Sequence, residues 1–285
     1  MATILDYTRQ FEKYLRLRNN AQSTIEIYTG ILKKMLFYFK KDPLSISPQM
    51  IGDFILTINA PKTKRQAWYT IDNFYKNVLH KPNYLKEIPL AQQKKYIPET
   101  LSTEEVFKII NSTSNLKHRA LLQLIYSCAL RLSEAIFLKI SDIDGTRKQI
   151  HIKQSKGAKD RIIPIPEETL LLLRNYFAQY KPKEFLFNGD STHLTYSETS
   201  VQQIFHQAKR RALIIKKVTL HSLRHSRATH LLCNGVDIKF IAEFLGHNNI
   251  KTTTDFYIHT NIIDLQNVIS KADFQILGKS KMIAA

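Results

Sequence analysis

Nothing in the first eighty residues reads as a β-strand. The apolar positions return every third or fourth residue, the period of a helix with one buried face. Ile4, Tyr7, Phe11, Tyr14 and Leu15 follow that spacing, with Arg9, Lys13, Arg16 and Arg18 between them. Ser23 followed by Glu26 predicts a capping box, opening a second helix that carries Tyr28, Ile31, Leu32, Met35 and Phe39. Ser47-Pro48 predicts the start of a third helix running through Ile58, and a fourth covers about residues 63–79. Short amphipathic helices hide their apolar stripes only against other elements. Residues 1–80 are therefore expected to form a compact four-helix domain.

From Lys81 to Thr100 the periodicity stops. Pro82, Pro89 and Pro98, with the polar run Gln92-Gln93-Lys94-Lys95, predict an extended interdomain linker over 81–100. Ser102 with Glu105 makes a second capping-box signature, and residues 101–285 are expected to form the other domain. It is mostly helical, but Gln149–Gln154 and Arg161–Ile165 read as strands flanking the turn Ser155-Lys156-Gly157-Ala158-Lys159-Asp160. Helices are expected over about Glu167–Tyr180, Ser200–Ile214, His221–Asn234 and Asp237–Leu245, with Gly235 and Gly246 closing the last two. A final helical segment runs from about Asp264 to Leu277. The fold class is mainly α: an all-helical domain followed by an α+β domain with a small antiparallel sheet.

The charge is lopsided. The 285 residues carry 42 Lys+Arg against 24 Asp+Glu, a formal net charge of +18. Sixteen basic and seven acidic residues precede Ile97, and 26 and 17 follow from it, so each part carries +9. Two cationic folded regions point to nucleic acid, because phosphate neutralisation releases counterions and dominates affinity. Joined by a flexible linker, they are expected to close around a duplex as a clamp. The other reading of the charge is a lysine-rich solvated surface. An apolar fraction of 44% argues against global disorder. No apolar run reaches the roughly 18 residues of a bilayer span, and Met1–Asp6 shows no signal peptide, so a cytoplasmic protein is expected. Cys128 and Cys233 sit in apolar helical patterns and read as buried thiols of a reducing compartment.

The densest chemical signal is His221-Ser222-Leu223-Arg224-His225-Ser226-Arg227. His221 and Arg224, three apart on a helix, project from one face. A guanidinium fork matches phosphate oxygens and an imidazole moves protons near neutral pH, so the pair suits a phosphodiester; a basic surface helix is the plainer reading. His221 and His225 also have the i,i+4 spacing of a zinc helix, but Ser222 stands where such a helix carries its glutamate. Only Asp237, Glu243 and Asp255 lie nearby, so no metal site is expected. Arg131 follows the apolar run Leu121, Leu122, Leu124, Ile125 and lies between Leu130 and Leu132. There it requires a partner, and Glu134 either forms a structural salt bridge with it or orients it toward an anion. Phe244-Leu245-Gly246-His247 comes next, then Tyr257, the single tyrosine after Tyr196. Phe256-Tyr257 reads either as ordinary core aromatics or as the place of a phenolic nucleophile.

Taken together, these pieces resemble the tyrosine recombinases, also called phage integrases or Xer-type recombinases. The residues that carry the resemblance are Arg131 in Leu-Arg-Leu-Ser-Glu, Lys156 in Ser-Lys-Gly-Ala-Lys-Asp-Arg, His221-x-x-Arg224, His247 in Leu-Gly-His, and Tyr257, in the family's order. The resemblance implies a site-specific DNA recombinase that cuts and rejoins strands through a 3′-phosphotyrosyl intermediate, with no metal, ATP or other cofactor. It assigns Tyr257 as nucleophile and Arg131 and Arg224 as clamps on the non-bridging oxygens. It gives Lys156 (with Lys159 as rival) the protonation of the leaving 5′-oxygen, His221 acid–base work, and His247 a hydrogen bond to the phosphate, with Glu134 in support. It also implies a helical core-binding first domain, a catalytic second domain, and a tetramer on two double-stranded DNA sites, sometimes with a second recombinase. In such an assembly the amphipathic tail of Ile262, Ile263, Leu265, Val268, Ile269 and Phe274 docks on a neighbouring protomer.

Two departures from the family's pattern are visible. Ser155 stands where glycine is usual, and His247 and Tyr257 are ten apart, one residue more than usual. One added residue would turn a helix by about 100° unless a loop absorbs it. The brevity of the chain favours an Xer-like or mobile-element enzyme. Two other functions fit parts of the sequence. One is a DNA-binding regulator with a helix-turn-helix beginning at Ile238–His247. The other is a type IB topoisomerase-like enzyme that relaxes DNA.

Overall fold

The computed structural model describes residues 4–92, 99–153, 160–189, 195–247 and 253–254. The chain divides into two compact units, Met1–Tyr96 and Ile97–Ala285.

In the first unit, helices α1 (Ile4–Leu17), α2 (Gln22–Phe39), α3 (Pro48–Leu56) and α4 (Pro61–Asn77) bury one stripe each. Phe11, Leu15, Leu32, Met35, Leu36, Ile71 and Phe74 are fully enclosed, each such side chain contributing about 1.5–3 kcal/mol. Phe74 lies edge-on to both Phe11 and Tyr7. Ser47 caps α3, accepting from the Met50 amide at 3.3 Å, with Pro48 in the first turn. Two expectations are corrected here. Ser23 is not a cap: α2 begins a residue earlier at Gln22, its N-cap is Ala21 with no side-chain bond, and Gln22 reaches Glu26 at 3.0 Å instead. Nor does the segment from Lys81 behave as an open linker at its start. Leu85 is fully buried in the helical core, Tyr84 stacks on Tyr75 at 4.4 Å, and Trp68 Nε1 donates to the Ile88 carbonyl at 3.0 Å. Apolar side chains between the prolines outweigh the extended character that the prolines impose. Residues 93–98 lie outside the described residues.

The second unit is built round α6 (Leu116–Ser127), whose Ala120, Leu121, Leu122, Leu124 and Ile125 are all buried. Against it pack α5 (Thr103–Asn111), α8 (Glu167–Tyr180) and α10 (Leu220–Cys233), and the unit also holds α7 (Leu132–Ile136), α9 (Glu198–Arg211) and α11 (Ile238–Leu245). The Ser102–Glu105 capping box is present in both directions. Strands β1 (Ile143–Asp144), β2 (Gln149–Ile152) and β3 (Arg161–Pro164) form one antiparallel sheet in sequence order. The two-residue β1 is too short to announce itself in the sequence. In β2–β3 the register places Ile150 opposite Ile163 and Ile152 opposite Arg161, and these four side chains face inward. Cys128 is buried, and burial pushes its thiol up to about 12. Cys233, in contrast to the sequence expectation, is exposed, because it is the last residue of α10 and points away from the core. Among the described residues no helix is long and apolar enough to cross a membrane.

Candidate active site

The candidate side chains are held in the first turns of α7 and α10 and at the turns beside α6, α7 and α11. Leu130 ends the turn after α6 and Leu132 starts α7, so Arg131 is fixed between two buried segments. Glu134, one turn into α7, reaches back: Oε2 accepts the Arg131 backbone amide at 2.8 Å and Oε1 accepts Arg131 Nη1 at 2.7 Å. Arg131 Nη2 donates to the Gly246 carbonyl at 2.7 Å, across 115 residues of chain. On α10, Arg224 is the largest fully buried side chain among the described residues. Its Nη1 donates to the Ala129 carbonyl at 2.6 Å and its Nη2 to the Leu245 carbonyl at 2.5 Å. The same Nη2 lies 3.3 Å from His247 Nε2, and Nη1 lies 3.8 Å from Glu134 Oε2.

These bonds explain the local backbone. Gly246 caps α11 in the left-handed region (φ 63°), which leaves the Leu245 and Gly246 carbonyls facing the two guanidiniums. Ala129 also adopts a left-handed φ of 48°, unfavourable for a residue with a Cβ by about 1–2 kcal/mol, and its carbonyl is the acceptor for Arg224. Strain at this turn thus coincides with the placement of a guanidinium.

Electrostatics follow from crowding several guanidiniums around one carboxylate. Burial alone would raise Glu134, but hydrogen bonds from Arg161 and from Arg131, with their charges, hold it at about 2. His247 is pushed down to about 4, first by loss of hydration, then by Arg224 and Arg131. His221 is lowered for the same reasons in the same order. His225, whose ring meets His221 edge-on at 4.3 Å, falls to about 3 through burial, then His221 and Arg224. All three rings are neutral at pH 7. An anion held by the guanidiniums would offset the part of these shifts that comes from Arg224 and Arg131, but not the part that comes from burial.

The structure therefore brings Arg131, Glu134, Arg224 and His247 into one bonded cluster, with His221 beside it on α10. Lys156 and Tyr257 lie outside the described residues, as do Ser155, Lys159, Asn248 and residues 255–285 with the expected tail helix. Among the described residues no three His, Cys, Asp or Glu side chains group as metal ligands. Two members of the cluster escaped the sequence reading. Arg161, at the start of β3, donates through Nη1 and Nη2 to the two oxygens of Glu134 at 2.9 and 2.8 Å. Thr253 is fully buried, and its hydroxyl lies 2.8 Å from His247 Nδ1, fixing the ring. Arg161 had a signal: it shares the inward strand phase with Ile163, and a charge in phase with the core requires a partner.

Comparison with known proteins adds an independent finding. The Phage integrase family matches residues 99–262, and the Phage integrase N-terminal SAM-like domain matches residues 8–83. The tyrosine recombinase XerA of Pyrococcus furiosus is 31% identical over 275 residues, 93% of each chain. The crystal structure of a XerA recombinase has a TM-score of 0.58 and 27% identity, covering 95% of this chain and 99% of that one. The structure of a lambda integrase tetramer bound to a Holliday junction has a TM-score of 0.72 at 19% identity, covering 87% and 78%, which is a likeness of fold.

Proposed function

The chain belongs to the phage integrase family of tyrosine recombinases, and on that footing we propose how it acts as a site-specific DNA recombinase. The observation that carries the mechanism is the convergence of Arg131 and Arg224 on one carboxylate and on the turn at Leu245–His247. Four guanidinium and carboxylate groups, Arg131, Arg161, Arg224 and Glu134, sum to a net +2, a local excess suited to a phosphodiester.

In the proposed reaction the Tyr257 hydroxyl attacks the scissile phosphorus while Arg131 and Arg224 neutralise its non-bridging oxygens. An unperturbed phenol near pKa 10 is about one part in a thousand ionised at pH 7, so a base is needed. The neutral His221 ring accepts that proton, and His247, steadied by Thr253, hydrogen-bonds the phosphate. The P–O5′ bond breaks, and Lys156 protonates the departing 5′-oxygen. A 3′-phosphotyrosyl bond replaces the phosphodiester and conserves its energy, so no ATP or metal is required. Attack by the 5′-hydroxyl of a partner duplex reverses each step and exchanges strands.

We assign the first unit, in which Tyr84, Leu85 and Ile88 pack with the helices of 1–80, to core-site binding and residues 101–285 to catalysis, the two basic parts closing on DNA as a clamp. Four copies on two double-stranded sites, joined through tails beyond Tyr257, form the recombining assembly; a second recombinase is compatible with it. Such a substrate places the enzyme in the cytoplasm. A regulator would have no use for guanidiniums gathered around one carboxylate, and joining between duplexes separates a recombinase from a relaxing topoisomerase.

The test is incubation with nicked suicide DNA carrying candidate sites, with and without a divalent-ion chelator. Wild-type protein is expected to give a denaturant-resistant DNA adduct in both conditions, and Tyr257→Phe none. Equal adduct from both proteins would remove Tyr257 as the nucleophile, and loss on chelation would remove the metal-free chemistry.

A further inference from the structure

Arg161 has no part in the reaction just described, yet it lies at the centre of the cluster that performs it. Its side chain is 7% exposed, and its donors are engaged on three sides. Nη1 and Nη2 grip the two Glu134 oxygens as a fork, and Nε donates to the Phe244 carbonyl at 3.2 Å. Arg131, by comparison, is 34% exposed. The guanidinium of Arg161 also lies directly beneath Gly246: a Cβ there would fall 2.8 Å from its Nη1. Gly246 in turn supplies the carbonyl that receives Arg131 Nη2.

We infer that Arg161 is a positioning residue of the phosphate clamp, fixing Glu134 and the Phe244–Gly246 turn so that together they aim Arg131. Of the two anchors of the Arg131 side chain, Glu134 Oε1 accepts Arg161 Nη1 directly, and Gly246, whose carbonyl is the other, has its Cα side packed over the Arg161 guanidinium two residues after the Phe244 carbonyl that Arg161 Nε bonds. A planar fork is required for this. It holds both carboxylate oxygens at once and prevents the carboxylate from rotating, which a lysine ammonium, bonding as a point charge, does not do. With Arg161 removed, Glu134 keeps the Arg131 contacts but loses its fixed plane, and Arg131 loses its direction. Misplacement of a clamp by about 1 Å is enough to slow chemistry roughly 100-fold.

This inference rests on the reading of Arg131 as a clamp on the scissile phosphate, and the experiment separates the two. Cleavage rates are measured on two suicide duplexes, one with the ordinary scissile phosphodiester and one with a methylphosphonate there. The methylphosphonate has a methyl group in place of one non-bridging oxygen and so lacks the charge that Arg131 neutralises. Arg161→Gln and Arg161→Lys are each expected to cleave the phosphodiester about 10- to 100-fold more slowly than wild type, and the methylphosphonate within about 3-fold of it. Arg131→Ala is the control and is expected to show the same selective loss. Equal loss on both substrates, or none on the phosphodiester, in the Arg161 variants while Arg131→Ala is selective would overturn the role of Arg161 alone. A control that loses both substrates equally would overturn the clamp itself, and the inference with it. Should Arg161→Gln fail to fold, Arg161→Lys, which keeps the charge, decides the question by the same ratio.

Discussion

Glu134 is a single carboxylate that accepts the Arg131 amide, the Arg131 guanidinium and both ends of Arg161, with Arg224 3.8 Å away. Arg131 and Arg161, which keep Glu134 ionised, also add to the loss of hydration that disfavours protonation of His247. Stability should then depend on pH in a definite direction. His225 and His247 have folded-state values of about 3 and about 4, below the ordinary 6.5, so the unfolded chain binds more protons as pH falls through 6.5. Their contribution is present above pH 6.5 and is lost progressively down to those folded values. Glu134, depressed to about 2, adds its own loss only below about 4.5. Between pH 7 and 5 the histidines dominate, His225 contributing up to roughly 2 kcal/mol, or about 6 °C in melting temperature. A melting series in that window should show the decline, and His225→Gln should make it shallower, leaving the share that belongs to His247. An unchanged slope in the variant would mean that His225 is not held neutral by the fold.

At the scale of elements, α10 carries more than the site. One face presents His221 and Arg224; Ser226 and His230 hold the chain where the second unit begins. The Leu101 amide donates to Ser226 Oγ at 2.8 Å, and the Leu101 carbonyl meets His230 Nε2 at 2.9 Å. Lys216 Nζ, four residues before α10, donates to the Thr100 carbonyl at 3.1 Å and to Glu105 at 2.7 Å. Ser226 is fully buried, so Ser226→Ala strands a buried amide and should cost about 1–3 kcal/mol in denaturant unfolding. A loss below about 0.5 kcal/mol would show that the bond contributes nothing. Much of this was legible beforehand. Ser47-Pro48 and Ser102–Glu105 announced their helices because capping chemistry is local, and β2 and β3 showed their period. What stayed hidden depends on distant partners. Nothing near Leu85 says that it will reach the core of the first unit, and the exposure of Cys233 follows from where α10 ends. The site was legible to the same degree: Arg131, Glu134, His221, Arg224 and His247 stand in recognisable strings, while Thr253 acquires meaning only once His247 turns toward it.

For the molecule as a whole, charge and long-range closure matter most. Both the residues before Ile97 and those after it carry +9, so affinity for duplex DNA of any sequence should weaken steeply with salt. Binding of Tyr257→Phe to random duplex is expected to fall by at least about 10³ between roughly 50 and 200 mM salt, as for six or more neutralised phosphates. A nearly flat response in a binding titration would mean that the positive charge is not directed at a backbone. The arginine–glutamate cluster is closed by bonds between residues 27, 95 and 115 apart: Glu134 with Arg161, Ala129 with Arg224, Arg131 with Gly246. It needs a strand, a helix end and two turns in their final places together, and no short stretch of the polypeptide holds enough of it to grip a backbone ester. A newly made chain emerging from the ribosome is by this construction harmless to the chromosome around it until those distant segments have met.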